Sequence, residues 1–303
     1  MASTNTEIYR KFQGKLRPST LRFLPLARAS IRTATKRKLP LLILFAPPVI
    51  ATVIFSFVVY VRFSLDQGTT PDAFGGAANP GMRLMAGMAD TLLQVKNQIA
   101  RFHEAMTMFA FLIVAWFGAG EIAEDRRVGA HLLYFARPLT RLDYLLAKFL
   151  ALAFFGSMAA IVPGLVVCTV ATFASPNWSF LKQEGDVIPM TIAYGALWVT
   201  VCSSVILAVS SVSSRKSFAL VATFAVFVLP TPISFMLTHL EREPRFQILS
   251  LPGNFMKVAN TMFDLPAHMM RYDVEYSYAA LGLITLAAWI VLALRVRRLE
   301  AVA

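Results

Sequence analysis

The stretch FGAGEIAEDRRVGAHLLYFARPLTRLDYLLAKFLA, residues 117–151, decides how the chain is organised. Its two ends are oily, while its middle interleaves Glu121, Glu124, Asp125 and Asp143 with Arg126, Arg127, Arg137 and Arg141. A charge density of that kind does not lie in hydrocarbon, so the chain must leave a membrane here and return to it. Outward from this point, apolar runs occur at 39–61, 105–120, 145–173, 187–212, 218–240 and 276–294. Helices of about 20 residues cross a hydrocarbon core about 30 Å thick, and these runs are of that order. Composition agrees: 57% of the 303 residues are hydrophobic and 15% charged, well outside the usual balance of soluble domains. The expected fold class is all-α, a polytopic membrane protein with six transmembrane helices.

The first run starts too far in, and is too long, for a cleaved signal segment, so it is read as a span. Cys168 and Cys202 fall inside apolar runs and are read as small buried residues rather than a disulfide or metal pair. With the N-terminus cytoplasmic, 20 of the 29 Lys and Arg residues lie on the inner side, which places both termini in the cytoplasm of a plasma (inner) membrane protein. The net charge of +12 then faces anionic lipid headgroups, not nucleic acid.

Residues 1–38 form a basic tail that ends in an amphipathic pattern. Leu24, Ala27, Ile31 and Ala34 recur at helical spacing, with Arg28, Arg32 and Lys36 on another face, as in a helix lying on the inner membrane surface. Residues 39–303 form the six-span domain, with a charged loop at 121–143 and outer segments at 62–103 and 241–275. Pro47 and Pro48 are expected to bend the first span. The second outer segment contains FQILSLPGNFMKVANTMF, too oily for a plain loop, so part of it is expected to pack on or dip into the outer leaflet.

Function classes narrow by what is missing. The sequence has no G-x-x-x-x-G-K-[ST] phosphate loop, no H-E-x-x-H and no G-x-S-x-G, so neither that ATP-binding route nor the commonest hydrolase signatures are present. The apolar runs hold almost no ionisable group to serve as a relay for ion coupling; Lys148 is read as snorkelling to the cytoplasmic interface. The four histidines are read as lying at span edges or in loops. Met82, Met85 and Met88, with His268, Met269 and Met270, offer soft ligands for Cu(I), although thioethers at helical spacing serve more often as packing surface.

Within the charged loop, 121–127 continues the second span as a polar helix and Gly129 bends it. Leu132, Leu133, Tyr134 and Phe135 make a short apolar piece, Arg137-Pro138 stops it, and Thr140 with Asp143 forms a capping box for the third span. Glu121 and Glu124 are expected to pair with Arg28 or Arg32 of the interfacial helix.

The order E-D-R-R, Gly, a short hydrophobic piece, then R-P-L-T-R-x-D-Y-L-x-x-K resembles the permease subunits of type-2 ABC transporters. The wider plan of an amphipathic helix, six spans and a broken outer segment before the last span is similar too. The resemblance implies a type-2 ABC exporter-like fold and a coupling helix that seats on a separate ATPase. The residues it assigns to that contact are Glu124, Asp125, Arg126, Arg127, Gly129, Leu132, Leu133, Tyr134, Phe135, Arg137, Pro138 and Arg141. An apolar centre with a charged rim is the usual make-up of a docking surface.

It further implies two ATPase subunits, a second permease copy or related permease, and a cavity lined by spans two and five. Here those spans offer Met106, Met108, Phe109, Phe111, Phe224, Phe227 and Val228, a surface suited to an apolar or amphipathic cargo. The chain itself would be no enzyme and carry no cofactor, with ATP and Mg bound by the partner ATPase. The alternative is a mechanical or envelope-assembly scaffold that moves no solute, including a copper-related maturation role. Replacing Leu132 or Leu133 with Arg should abolish copurification with the ATPase while the permease still inserts and dimerises; an intact complex with unchanged ATP turnover would contradict the assignment.

Overall fold

In hydrocarbon every backbone amide must find its partner inside its own segment, and long apolar runs meet that demand as helices. The computed structural model describes residues 21–36, 38–66, 94–130, 134, 139–265 and 272–300. Its α-helices are α1 (Phe23–Thr35), α2 (Lys38–Asp66), α3 (Val95–Gly118), α4 (Ala123–Arg127), α5 (Arg141–Ala160), α6 (Val162–Ala174), α7 (Ser179–Gln183), α8 (Val187–Val212), α9 (Lys216–Val228), α10 (Pro230–Glu241), α11 (Leu251–Met262) and α12 (Val274–Glu300). Short 3-10 turns, Pro176–Trp178 and Pro244–Leu249, connect some of them. Six helical stretches are long and apolar enough to cross a membrane, as the sequence predicts.

Their limits differ from the apolar runs in three instructive ways. The second span begins at Val95, ten residues before the oily run. Ile99, Phe102 and Met106 are buried along one face of this helix while Arg101 and Glu104 are exposed on another. The apolar spacing of Leu92, Leu93, Val95 and Ile99 predicts a helix in this part of the segment, and averaging hides only its continuity with the span. His103 lies inside this helix and is 2% exposed; the expectation that it marks a span edge or loop is therefore corrected. The third span is two helices meeting at Ile161, because Pro163 has no N–H to give one turn back. The fifth divides at Leu229 before Pro230 for the same reason. By contrast, α2 runs helically through Pro47 and Pro48, with the Thr52 hydroxyl donating to the Pro48 carbonyl at 2.6 Å.

The core gathers around α8, which packs against α3, α5, α6, α9, α11 and α12. Trp198 and Tyr194 on α8 and Phe102 and Phe111 on α3 are among the largest fully buried side chains. The apolar windows of α3 and α8 are each 61% buried and that of α5–α6 44%, against 11% in α2 and 17% in α9–α10, so α3 and α8 are the inner pair and α2 and α9–α10 the most exposed. The oily outer segment is neither loop nor simple surface patch. Its helix α11 inserts Phe255 and Val258, both 0% exposed, among α3, α8, α9, α10 and α12. Ser250 caps it by accepting from the Gly253 N–H at 3.0 Å, and the buried Asn254 amide donates to the Ile248 and Ser250 carbonyls.

Small residues let the inner helices approach. A methyl at Gly118 would collide with the Leu152 side chain of α5 and lie 2.6 Å from that of Ile206 of α8. Gly118→Val should therefore lower the thermal midpoint of the purified protein, by an overpacking cost of about 1–3 kcal/mol. Gly120→Ala, which meets the bendable Lys216 stem at 3.1 Å, should leave the midpoint nearly unchanged; equal loss in both variants would refute this helix contact.

Candidate functional site: a buried charge seat under the 121–143 loop

The chain leaves α3 at Gly118, turns through residues 119–122 and enters α4. This turn has a backbone that could not stay unpaired in an apolar interior. A single buried side chain on α8 resolves it. Ser210 Oγ accepts from the Ile122 N–H and the Ala123 N–H, each at 3.1 Å, and donates to the Ala119 carbonyl at 2.9 Å. One turn on, Arg126 donates to the carbonyls of Ser211 at 2.7 Å and Ser213 at 3.4 Å, where α8 ends with free carbonyls that attract a cation. The loop is thus fastened to the end of the most central helix.

A second fastening comes from α5. Lys148 is 3% exposed, and its ammonium lies 2.8 Å from Glu121 and 2.9 Å from Asp125. The fully buried Tyr144 hydroxyl donates to the same Asp125 oxygen at 2.9 Å. From α1, Ser30 Oγ approaches the ammonium at 3.5 Å. Two expectations change here. Lys148 does not snorkel outward: two carboxylates neutralise it within the bundle, which makes burial tolerable. Glu121 pairs with Lys148 and not with Arg28 or Arg32, both exposed; α1 reaches the cluster by its small residue Ser30.

The apolar face of α1 is set by buried Leu26 and Ala27 with half-buried Ile31 and Ala34, while Leu24 is 48% exposed. Beside the Ser30 contact a cavity of about 220 Å³ opens between α1 and the cluster, lined among others by Ser30, Trp116, Glu124 and Lys216.

Beyond α4 the turn is set by Gly129, whose φ of 73° is a conformation glycine adopts freely. The capping box predicted at the start of α5 is present: Thr140 Oγ1 accepts from the Asp143 N–H at 3.1 Å, and the Asp143 carboxylate accepts from the Thr140 N–H at 3.1 Å.

A family sequence model whose description reads ABC-2 family transporter protein matches residues 43–297. That covers most of the chain. The chain belongs to the ABC-2 transporter family. None of the curated proteins gives a significant match. It is accordingly a multi-pass ABC transporter permease, built as an all-helical bundle.

Within this ABC-2 permease the proposed contact residues separate into groups. Glu124, Arg127 and Arg141 are exposed, joined by two apolar residues, Val128 and Leu142, that are 67% and 68% exposed. Asp125 and Arg126 face inward to Lys148 and α8. Tyr134 is half-buried, its ring 6.0 Å from that of Tyr144, and burial, helped by the Asp125 carboxylate, raises its phenol above the ordinary range. Leu132, Leu133, Phe135, Arg137 and Pro138 lie outside the described residues, as do the six outer residues considered for copper.

Of the residues proposed to line a cavity, Met106, Phe111 and Phe227 are packed inside the chain, with Phe111 and Phe227 stacked at 3.8 Å. Met108 and Val228 are exposed, and Phe109 and Phe224 half-buried.

Sequence reasoning missed Ser210. Its signal was the SSVSSR run, 210–215, closing a long apolar helix. It also missed the role of Lys148, whose spacing of 27 and 23 residues from its two partners gave no local sign.

Removing one partner of a buried pair costs about 3–5 kcal/mol, whereas replacing the whole set by neutral groups is nearly cost-free. Lys148→Met should destabilise the purified permease by that order. Adding Glu121→Gln and Asp125→Asn to Lys148→Met should recover most of the loss. A single mutant as stable as the triple would mean the cluster is not a coupled unit.

Proposed function

We propose that the chain is the membrane half of an ATP-driven exporter, worked by separate ATPase subunits that dock on the 121–143 loop. The observation that carries this reading is the double fastening of that loop: Ser210 and Arg126 bind it to α8, and Lys148 binds it to α5. A loop that only returned the chain to the membrane would not need seven hydrogen-bonded or charged attachments from residues 121–126 to two core helices. One that passes on a push does, since a displacement at a loose loop dies within the loop.

The exposed Val128 and Leu142, next in sequence to the exposed Arg127 and Arg141, are the apolar and basic residue types that suit a soluble partner. Two permease copies, or this chain with a related one, would sit over two ATPase subunits, and ATP with Mg would be held entirely by those subunits. The wide apolar surface of α9–α10, including Phe218, Val221, Ile233 and Met236, suits either lipid or the second copy. The loop and both termini are assigned to the cytoplasm by the excess of Lys and Arg there, and the cargo is assigned as apolar or amphipathic by the character of spans two and five. Export is preferred by family analogy alone.

The test is reconstitution with the cognate ATPase in inverted vesicles. ATP should drive a labelled amphiphile into the lumen. Arg127→Glu with Val128→Glu should weaken ATPase binding at least tenfold while leaving the permease folded. Retained ATPase affinity in that double variant, or ATP turnover with no movement of any amphiphile, would reject the respective part of the proposal.

A further inference from the structure

At the end of the bundle remote from the 121–143 loop, a cavity of about 580 Å³ opens between α3, α10 and the first turn of α11. That lies within the range of about 300–1,000 Å³ typical of small-molecule pockets. Its apolar bed includes Phe235 on α10 and Met256 on α11. Most of the hydroxyls on its wall are already used. Ser234 donates to the Thr231 carbonyl and Thr238 to the Ser234 carbonyl, both at 2.7 Å, and the Thr231 and Ser250 hydroxyls meet at 2.9 Å. Such a wall has few O–H donors left for an anion, while its hydroxyl oxygens keep acceptor capacity.

Charge then decides what it holds. Glu104 of α3 is the acid on this wall; it is exposed, and among the described residues no ion pair reaches it. His239, the other titratable group lining the cavity, packs edge-on against Phe235 at 4.5 Å. The opposing influence is the N-terminus of α11 at the floor, worth about half a positive charge. Its first donors are not available to an anion, since the Gly253 N–H is given to Ser250 and Pro252 has none to give. A full carboxylate outweighs a capped half-charge, and an aromatic face adds attraction for a cation.

We propose that this cavity binds an amphipathic organic cation, with Glu104 as its counter-charge and Phe235 and Met256 as its apolar bed. As a statement about cargo the proposal rests on the transporter reading above, but binding itself requires no ATPase. The experiment is isothermal titration of the full-length permease alone in nanodiscs with tetraphenylphosphonium and with tetraphenylborate, ions of closely matched shape and opposite charge, each corrected by the same titration of protein-free nanodiscs because both ions enter lipid. Saturable phosphonium binding is expected, with the borate at least tenfold weaker. Glu104→Gln should lower phosphonium affinity at least tenfold, and Glu104→Asp should retain most of it.

Equal affinities for the two ions, or phosphonium binding unchanged in Glu104→Gln, overturns the proposal. Pull-down of the ATPase by the wild-type permease is scored separately. A complex without phosphonium binding defeats the cavity proposal alone, and phosphonium binding without a complex supports the cavity while defeating the transporter reading.

Discussion

The ammonium of Lys148 holds Glu121 and Asp125 from within the bundle, and the placement of the charged loop follows from that contact. Burying a lysine is costly, and so is burying either carboxylate; together, with Tyr144 donating to Asp125, the charges compensate one another. A residue on α5 thereby dictates where α3 ends and α4 begins. Ser210 completes the arrangement by satisfying three backbone groups of the intervening turn, each of which would cost about 1–3 kcal/mol if left buried and unpaired. Net stability from such a buried set is small. Its consequence is geometric: the turn at 119–122 and α4 are tied to α5 and α8.

The two ends of the molecule are built on different terms. At the loop end the polar groups are buried and interlocked. At the far end Lys96 bridges Asp264 at 2.6 Å and Asp186 at 3.5 Å, with the two acids 75% and 50% exposed, and solvent screening leaves such pairs worth about 0–1 kcal/mol. That end is held instead by α11 and its apolar side chains. The loop end is thus fixed by interlocked buried polar groups and the far end chiefly by side-chain packing.

Six spans and the charged loop were legible because hydropathy averages over some 20 residues and each run is of about that length. The capping box and the Gly129 bend were legible because each depends on residues within a few positions of one another. What sequence could not convey was tertiary. Lys148 meets acids from a preceding span, and Ser210 meets a turn about 90 residues away, so neither partner is announced locally. The extension of α3 back to Val95 was partly hidden for another reason: Arg101 and Glu104 depress mean hydropathy while Ile99 and Phe102 pack inward on the opposite side. Pro163 and Pro230 were visible, yet whether a proline bends a helix or divides it depends on neighbours, as the unbroken α2 shows.

The central claim is that the loop and the core helices move as one body. Spin labels at Ala130 of the loop, half-buried and outside the proposed ATPase contact, and at the exposed Val212 at the end of α8 test it in a background where the buried Cys168 and Cys202 are replaced by alanine. Pulsed dipolar spectroscopy should give one narrow distance that is unchanged between the free permease, the ATPase-bound form and the ATP-trapped form, and that broadens in Ser210→Ala combined with Lys148→Met. A distance that shifts or broadens on ATPase binding in the otherwise native permease would show the loop moving independently of α8 and would contradict the account.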